Sequence, residues 1–370
     1  MLNGDRVNKD VVRDVRIGQA SLVETITTFS VVPGSLKDFR PYSVYVDDYS
    51  NVGDIVVSVD GANVDQPVLS KLVHNRASFD IPLEKGATVV VRTIAGNELE
   101  PFPSAIRELE KQFVVVKLSL FVVSPHPVQS ESMSISLPPG ALLENFSHLD
   151  LVDTSNGRLT FLKKKIAARK KASSSNEVVS IHFAHPYPMP FIVSVSRTVD
   201  VSHWGAALSI KEEIELVNGA AQLAGEFNRV PFTHMKFAQG KSSPFVVESA
   251  LVDIGAIVPF EAVNIHYRDV IGNISSSAAR RVVDEAIQFT YVSLSPRFPL
   301  MGGWKTEFEF SYDLPASSGV LRSVPEHDSF LVQIPLSHAI PSLLAREMKV
   351  TINLPSGASD IDVTFDRRTS

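Results

Sequence analysis

Adjacent carboxylates occur at Asp47-Asp48 and at Glu212-Glu213, and neighbouring acids can do general acid–base chemistry when a fold drives their pKa values apart. Neither pair has a second reactive group at a useful spacing, so both read as solvated charges at a turn or strand edge. His182 and His185 in HFAH stand three residues apart, which in a strand aims them at opposite faces and makes them poor joint metal ligands. The sequence has no Gly-rich phosphate loop, no G-x-S-x-G elbow and no H-E-x-x-H helix. It has no cysteine, which removes thiolate catalysis, disulfides and cysteine-held zinc. The reading is therefore no catalytic residue, no metal ligand and no cofactor.

Three stretches combine aromatic and basic residues and suit contact rather than turnover. They are His203-Trp204-Gly205, Tyr267-Arg268-Asp269, and SPRFPLMGGWKT (295–306), where Arg297, Trp304 and Lys305 surround Gly302-Gly303. Trp and Arg anchor interfaces more than other residues do, and paired glycines let two backbones approach closely. The competing reading is that both tryptophans fill the core at strand ends. Asn145-Phe146-Ser147 and Asn273-Ile274-Ser275 are N-glycosylation sequons, usable if the chain faces a secretory lumen. KKKIAARKK (163–171), followed by ASSSNE, could meet an anionic surface, although its flanks suit a solvated loop better.

The elements that must position these residues are mostly strands. Runs 54–60, 87–93, 112–123, 178–183, 191–201, 286–294, 305–312 and 349–353 are rich in β-branched and aromatic residues and bounded by Gly, Pro, Asn or Asp. Helical signals are short and confined to 104–111, 163–171 and 342–348. Twenty-three prolines and closely spaced short strands favour antiparallel sandwiches over a parallel sheet.

Three pairs of matches recur in the same order. VRDVRIGQASLVETI (12–26) resembles SRTVDVSHWGAALSIKEEI (196–214), EKQF and EAIQF each lead to a Ser-Pro pair, and SMSISLPPGA (132–141) resembles MKVTINLPSGA (348–358). The expectation is two related antiparallel β-sandwich domains in tandem, 1–190 and 191–370, the second lacking its last strands. A net charge of -6 and a pI near 5.9 disfavour a nucleic-acid partner. No apolar run reaches the roughly eighteen residues of a membrane span. The longest, FVVVKLSLFVV (113–123), is broken by Lys117, and the N-terminal stretch has charges where a secretory signal needs an apolar core.

RTVDVSHWGAALSIKEEIEL (197–216), HYRDVIGNIS (266–275) and SPRFPLMGGWKTEFEFSYDLP (295–315), in that order, resemble the luminal region of the ribophorin I family, subunit 1 of the oligosaccharyltransferase complex. EKQFVV with SPHP in the first half and INLPSGASDI near the end fit the same family. The resemblance implies luminal β-domains like the N-terminal β-domain of zinc aminopeptidases, and an accessory subunit without catalytic residues. It also implies residence at the endoplasmic reticulum membrane on the luminal side. The implied partners are other oligosaccharyltransferase subunits, including the catalytic one, nascent polypeptides, and a membrane reached through a segment not present in this sequence. Under this reading Asn145 and Asn273 are glycosylation candidates, while His203, Trp204, Tyr267, Arg268, Arg297, Trp304 and Lys305 serve architecture or subunit contact. The alternative from another class is a secreted or cell-surface β-sandwich adhesion or carbohydrate-binding module.

Overall fold

The Val7–Ile17 strand alternates buried Val11, Val15 and Ile17 with solvent-facing residues, and the same period of two recurs along the strands that follow. In the Val178–Ala184 strand, for example, Val179, Ile181 and Phe183 are each fully buried while the alternating Val178, Ser180 and His182 are only half-buried. The computed structural model describes residues 6–32, 41–64, 68–73, 75–83, 86–147, 152–153, 159–166, 178–202, 204–205, 207–230, 248–284, 287–324 and 329–364. The chain is mostly β and divides into two compact units, 1–105 with 111–186, and 106–110 with 187–370.

In the first unit an eight-stranded sheet runs in the order 152–153, 159–166, 128–136, 7–17, 23–32, 87–95, 52–59, 62–63. Neighbours are antiparallel except for Val7–Ile17 and Val128–Ser136, which are parallel. A four-stranded sheet (142–146, 178–184, 113–119, 99–101) and a three-stranded one (42–46, 76–81, 68–73) complete the sandwich. Phe29 of the large sheet meets Tyr42 of the small one edge to face, with ring centroids 6.1 Å apart. Arg13 donates to the Ser119 carbonyl at 2.7 Å and faces Glu131, itself 1% exposed, at 3.7 Å.

The second unit repeats the plan with a five-stranded sheet in the order 263–269, 305–315, 207–218, 190–202, 345–353, beside a three-stranded one of 254–259, 288–294 and 278–283. Among the described residues its one parallel pair is Pro190–Ser202 with Ala345–Asn353. The sequence repeat holds at the level of register. Arg13 lies opposite Met133, as Arg197 lies opposite Val350, and Arg16 opposite Ser136, as Asp200 lies opposite Asn353. EKQF and EAIQF lead into strands 113–119 and 288–294, the first one of the two inner strands of the four-stranded sheet and the second the central strand of the three-stranded sheet of the second unit.

Three helical expectations fail, and for one reason. Residues 104–111 contain the short strand Ala105–Ile106 and then a turn in which the Arg107 N–H donates to Glu110. Residues 163–166 belong to the Leu159–Ile166 strand paired with Val128–Ser136, while 167–171 lie outside the described residues. Residues 345–348 open the Ala345–Asn353 strand. Leu, Ala, Glu, Arg and Lys favour helix only weakly, by tenths of a kcal/mol each, and pairing with a distant strand overrides that preference. The strand expected over 112–123 stops at Ser119.

The acidic pair at 212–213 is also corrected. Glu213 is exposed and bonds Lys211 at 2.9 Å, but Glu212 is fully buried and paired with Arg197 inside the second unit.

His182 and His185 separate as their spacing demands. His182 contacts the Phe102 carbonyl at 3.2 Å and the rings of Phe102 and Phe113, whereas His185 is buried at 0% exposure against Phe183, with Ser21 Oγ at 3.4 Å from Nε2. Burial pulls the His185 pKa from 6.5 down to about 4. The unfolded chain therefore takes up this proton near pH 6.5, while the folded chain withholds it until about pH 4. Folding stability contributed here is complete above 6.5 and declines as pH falls through that window, by up to roughly 3 kcal/mol. His185→Gln should flatten the stability–pH curve between pH 6.5 and 4 relative to wild type. Parallel curves for the two proteins in urea titrations would contradict this assignment.

Candidate functional site

Among the basic-aromatic stretches, SPRFPLMGGWKT is the one the fold builds most around. It leaves the Gln288–Leu294 strand and enters the Lys305–Pro315 strand, so it crosses from the three-stranded to the five-stranded sheet of the second unit. Ser295 Oγ bonds Asp253 at 3.2 Å, and Leu300 exchanges both backbone hydrogen bonds with Leu251 at 2.9 Å. Met301 is 2% exposed and packs on Ala250, with Leu223 and Phe227 against the pair.

The glycine pair is required by space and by conformation. A Cβ on Gly302 would sit 1.8 Å from the Ala221 carbonyl oxygen, and Gly303 has φ +78. The backbone that comes so close is fixed by Asn218, which is 0% exposed. Its Oδ1 accepts from the N–H groups of Met189 at 2.9 Å and Ala220 at 3.2 Å, and its Nδ2 donates to the carbonyls of Ser249 at 2.7 Å and Leu300 at 2.8 Å. Its own N–H donates to the Trp304 carbonyl at 3.0 Å, and its carbonyl accepts from the Gly303 N–H at 2.8 Å. Asn218-Gly219 reads in sequence as an ordinary turn after a strand, and no residue pattern marks it as a buried hub.

Arg297 reaches back to the turn that follows the Val263–Asp269 strand. Its Nε and Nη2 donate to the two oxygens of Asp269 at 2.8 and 2.9 Å, and Nη2 also lies 3.3 Å from the Gly272 carbonyl. The Asp269 Oδ1 accepts from the N–H groups of Ile271 and Gly272, both at 3.0 Å. The fork-to-fork pairing with Arg297 holds the Asp269 carboxyl down at about 2. Thus Arg297 and Asp269 clamp a tight turn whose tip, Val270 and Ile271, is 88% and 70% exposed, beside Phe298 at 61%.

The other expected residues fall in separate places. Tyr267 is buried edge to face on Phe308 at 5.3 Å, and burial raises its phenol. Arg268 is exposed and lies opposite Glu309. Lys305 pairs with Glu215 at 3.2 Å, which raises its ammonium pKa. Trp304 meets Phe227 edge to face at 5.8 Å and keeps 37% of its surface exposed, while Trp204 is 91% exposed at the hairpin tip. The competing reading that both tryptophans fill the core does not hold: at the hairpin tip the Trp204 ring projects into solvent, and at the corner Phe227 covers Trp304 only in part. His203 lies outside the described residues.

The two sequons differ. Asn273 and Ser275 are both exposed on the clamped turn, with Ile274 buried between them. Asn145 is exposed within the Leu142–Phe146 strand, but its Oδ1 accepts the Phe146 N–H and the Ser147 hydroxyl accepts the Ser180 N–H at 2.9 Å.

A cleft of about 150 Å³ in the first unit is lined by Arg13, Asp47, Asp48, Glu98 and Lys117. Its charges are of both signs, and four of the five have partners: Arg13 with Ser119 and Glu131, Glu98 with Asn51, Asp47 with Arg76 and, at the surface, Lys117 with Glu100. Among the described residues no group of three or more His, Asp or Glu is placed to hold a metal ion.

Comparison with known proteins places this architecture. The Ribophorin I family model matches residues 6–369. Subunit 1A of the dolichyl-diphosphooligosaccharide–protein glycosyltransferase of Arabidopsis thaliana is 34% identical over 286 residues, covering 76% of this chain and 43% of its own length. Subunit 1 from Caenorhabditis elegans is 27% identical over 357 residues, covering 94% of this chain and 58% of its own length. The chain thus spans about half the length of the curated relatives it matches. Among solved structures, leukotriene A4 hydrolase from Saccharomyces cerevisiae matches over 52% of this chain and 31% of its own, at 11% identity and a TM-score of 0.33, a likeness too slight to argue from. The corner, the clamped turn and the repeated sandwich lie within the segment covered by the family model, and the chain belongs to the ribophorin I family.

Proposed function

We propose that this chain is the luminal β-region of a non-catalytic subunit of an oligosaccharyltransferase complex at the endoplasmic reticulum membrane. In this reading it scaffolds the complex or presents nascent polypeptides to the catalytic subunit. The observation that carries the proposal is the family match over 6–369, together with relatives named as subunits of the dolichyl-diphosphooligosaccharide–protein glycosyltransferase. The local chemistry is consistent with it. Side chains singled out in the sequence are spent on architecture: Arg297 on Asp269, Lys305 on Glu215, Glu212 on Arg197 and Tyr267 on Phe308. Contact falls instead to the exposed apolar residues around the corner.

The test is replacement of the endogenous subunit in cells by the tagged full polypeptide. Co-purification of the catalytic subunit and restored glycosylation of a reporter are expected. The purified chain alone, given a lipid-linked oligosaccharide and an acceptor peptide, should transfer nothing. Transfer by the isolated chain, or failure to co-purify, would remove the proposal.

Luminal residence also orders the two sequons. Asn273→Gln is expected to remove an endoglycosidase-sensitive mobility shift and Asn145→Gln to leave it, because the Ser147 hydroxyl is tied to the backbone and Ser275 is not buried. A shift lost with Asn145→Gln and kept with Asn273→Gln would reverse the assignment.

A further inference from the structure

The repeat allows the two units to be compared position by position around one arginine. Arg13 on Val7–Ile17 and Arg197 on Pro190–Ser202 hold the same place and face the core, Arg13 between Val11 and Val15, Arg197 between Val195 and Val199. On the next two strands the second unit sets Glu212, Ile210, Phe310 and Tyr312 about its arginine, all 3% exposed or less. The register of the first unit sets Thr27, Thr25, Val91 and Thr93 at the same positions. Each is smaller than its counterpart, and three of the four carry a hydroxyl. The space they give up is the cleft of about 150 Å³, which all four line beside Arg13.

The electrostatics differ in the same sense. Arg197 is paired directly with Glu212 and donates to the Tyr312 hydroxyl at 3.2 Å. Among the described residues Arg13 has no carboxylate in hydrogen-bond contact: Glu131 stays 3.7 Å away, and its Oε1 accepts the Val122 N–H at 2.6 Å. Asp47 and Lys117 are taken up by Arg76 and Glu100, so the other charges on the cleft wall are the exposed Asp48 and the half-buried Glu98. A plain anion would meet these two acids as well as the arginine. A fitting ligand therefore carries a cation besides its carboxylate.

We propose that this cleft binds a small zwitterion of the α-amino-acid class. Its carboxylate sits on Arg13, as the carboxylate of Glu212 sits on Arg197 in the second unit, and its ammonium lies toward Asp48 and Glu98. A guanidinium can hold both carboxylate oxygens, threonine hydroxyls donate or accept as the ligand requires, and Val44 and Val91 cover the apolar part. A cavity of this size holds a molecule of about six heavy atoms, such as benzene, which restricts the ligand to a short side chain. The site does not depend on the assignment to a glycosyltransferase complex.

Equilibrium dialysis of radiolabelled L-alanine against the 370-residue chain tests it. Saturable uptake of one equivalent is expected. Propionate and ethylamine each offer only one of the two charges and should compete about tenfold less well or worse, the factor that one charge-assisted hydrogen bond is worth. Thr93→Tyr installs the residue that the second unit carries at this position, and should abolish uptake without lowering the melting temperature. Thr25→Ile fills the same space from the neighbouring strand and should act alike. Uptake that never saturates, propionate that competes as well as unlabelled alanine, or undiminished binding in both filled variants overturns the proposal.

Discussion

Replacing Glu212 with alanine is expected to destabilise the second unit by about 3–5 kcal/mol, whereas Glu213→Ala, one residue away, should change stability by less than about 0.5 kcal/mol. Arg197 and Glu212 have no side-chain exposure, and each meets its partner directly across the Pro190–Ser202 and Ala207–Asn218 strands. Both Glu212 oxygens also accept from the Ala339 N–H, at 3.2 and 3.1 Å, and Arg197 donates to the Tyr312 hydroxyl at 3.2 Å. Removing the acid leaves a buried guanidinium and a backbone donor without their acceptor, and desolvation makes that costly. A double variant, Arg197→Met with Glu212→Leu, should regain most of the loss because no charge is then stranded. Lys211 and Glu213 pair in open solvent, where such bonds contribute little. Both tryptophans of the chain lie in the second unit, so intrinsic fluorescence during urea unfolding reports on that unit. A Glu212→Ala midpoint equal to wild type would refute the buried pair.

Asn218→Leu should be at least as damaging, with a loss of about 4 kcal/mol or more. It strands two backbone N–H groups and two carbonyls that the side chain now satisfies, each with a desolvation cost of about 1–3 kcal/mol, partly relieved by relaxation. Gly302→Ala probes the same junction from the other side. Its Cβ would overlap the Ala221 carbonyl at 1.8 Å, and the obstacle is backbone that cannot swing away as a side chain would. Both variants should release the contact between Trp304 and Phe227, shifting the folded-state emission to longer wavelength as well as lowering the unfolding midpoint. If Asn218→Leu unfolds with wild-type stability and unchanged emission, the hub has been misassigned. An Asn218→Asp variant separates volume from hydrogen bonding. It keeps the shape and the acceptor but sets an oxygen against the Ser249 and Leu300 carbonyls and buries a charge when ionised, so it should be strongly destabilising although no volume has changed.

Much of the architecture is written locally. A period of two in β-branched, aromatic and other apolar residues marks strands such as 178–184 and 305–315, because one face of each must meet a core. The repeat between 12–26 and 196–214, and between 132–141 and 348–358, reappears as the same parallel register in both units, since like patterns bury like faces. The family resemblance, too, rests on residues legible in order along the chain.

What composition and spacing left open was the fate of individual polar and aromatic groups. Glu212 and Glu213 are identical in type and adjacent in sequence, yet a strand sends one into the core beside Arg197 and the other into water. Arg297 looked like an anchor free for a partner, and only its distance from Asp269 shows that it closes a turn of its own unit. Asn218 carried no sequence signal at all, because its role depends on Met189, Ser249 and Leu300, which are brought together by pairing between strands far apart in the chain. Strand character and repeat are fixed by near neighbours, whereas burial and hydrogen-bond partnership are fixed by residues dozens to more than a hundred positions away. Those partners exist only once the sheets have assembled, and so the tertiary structure alone decided them.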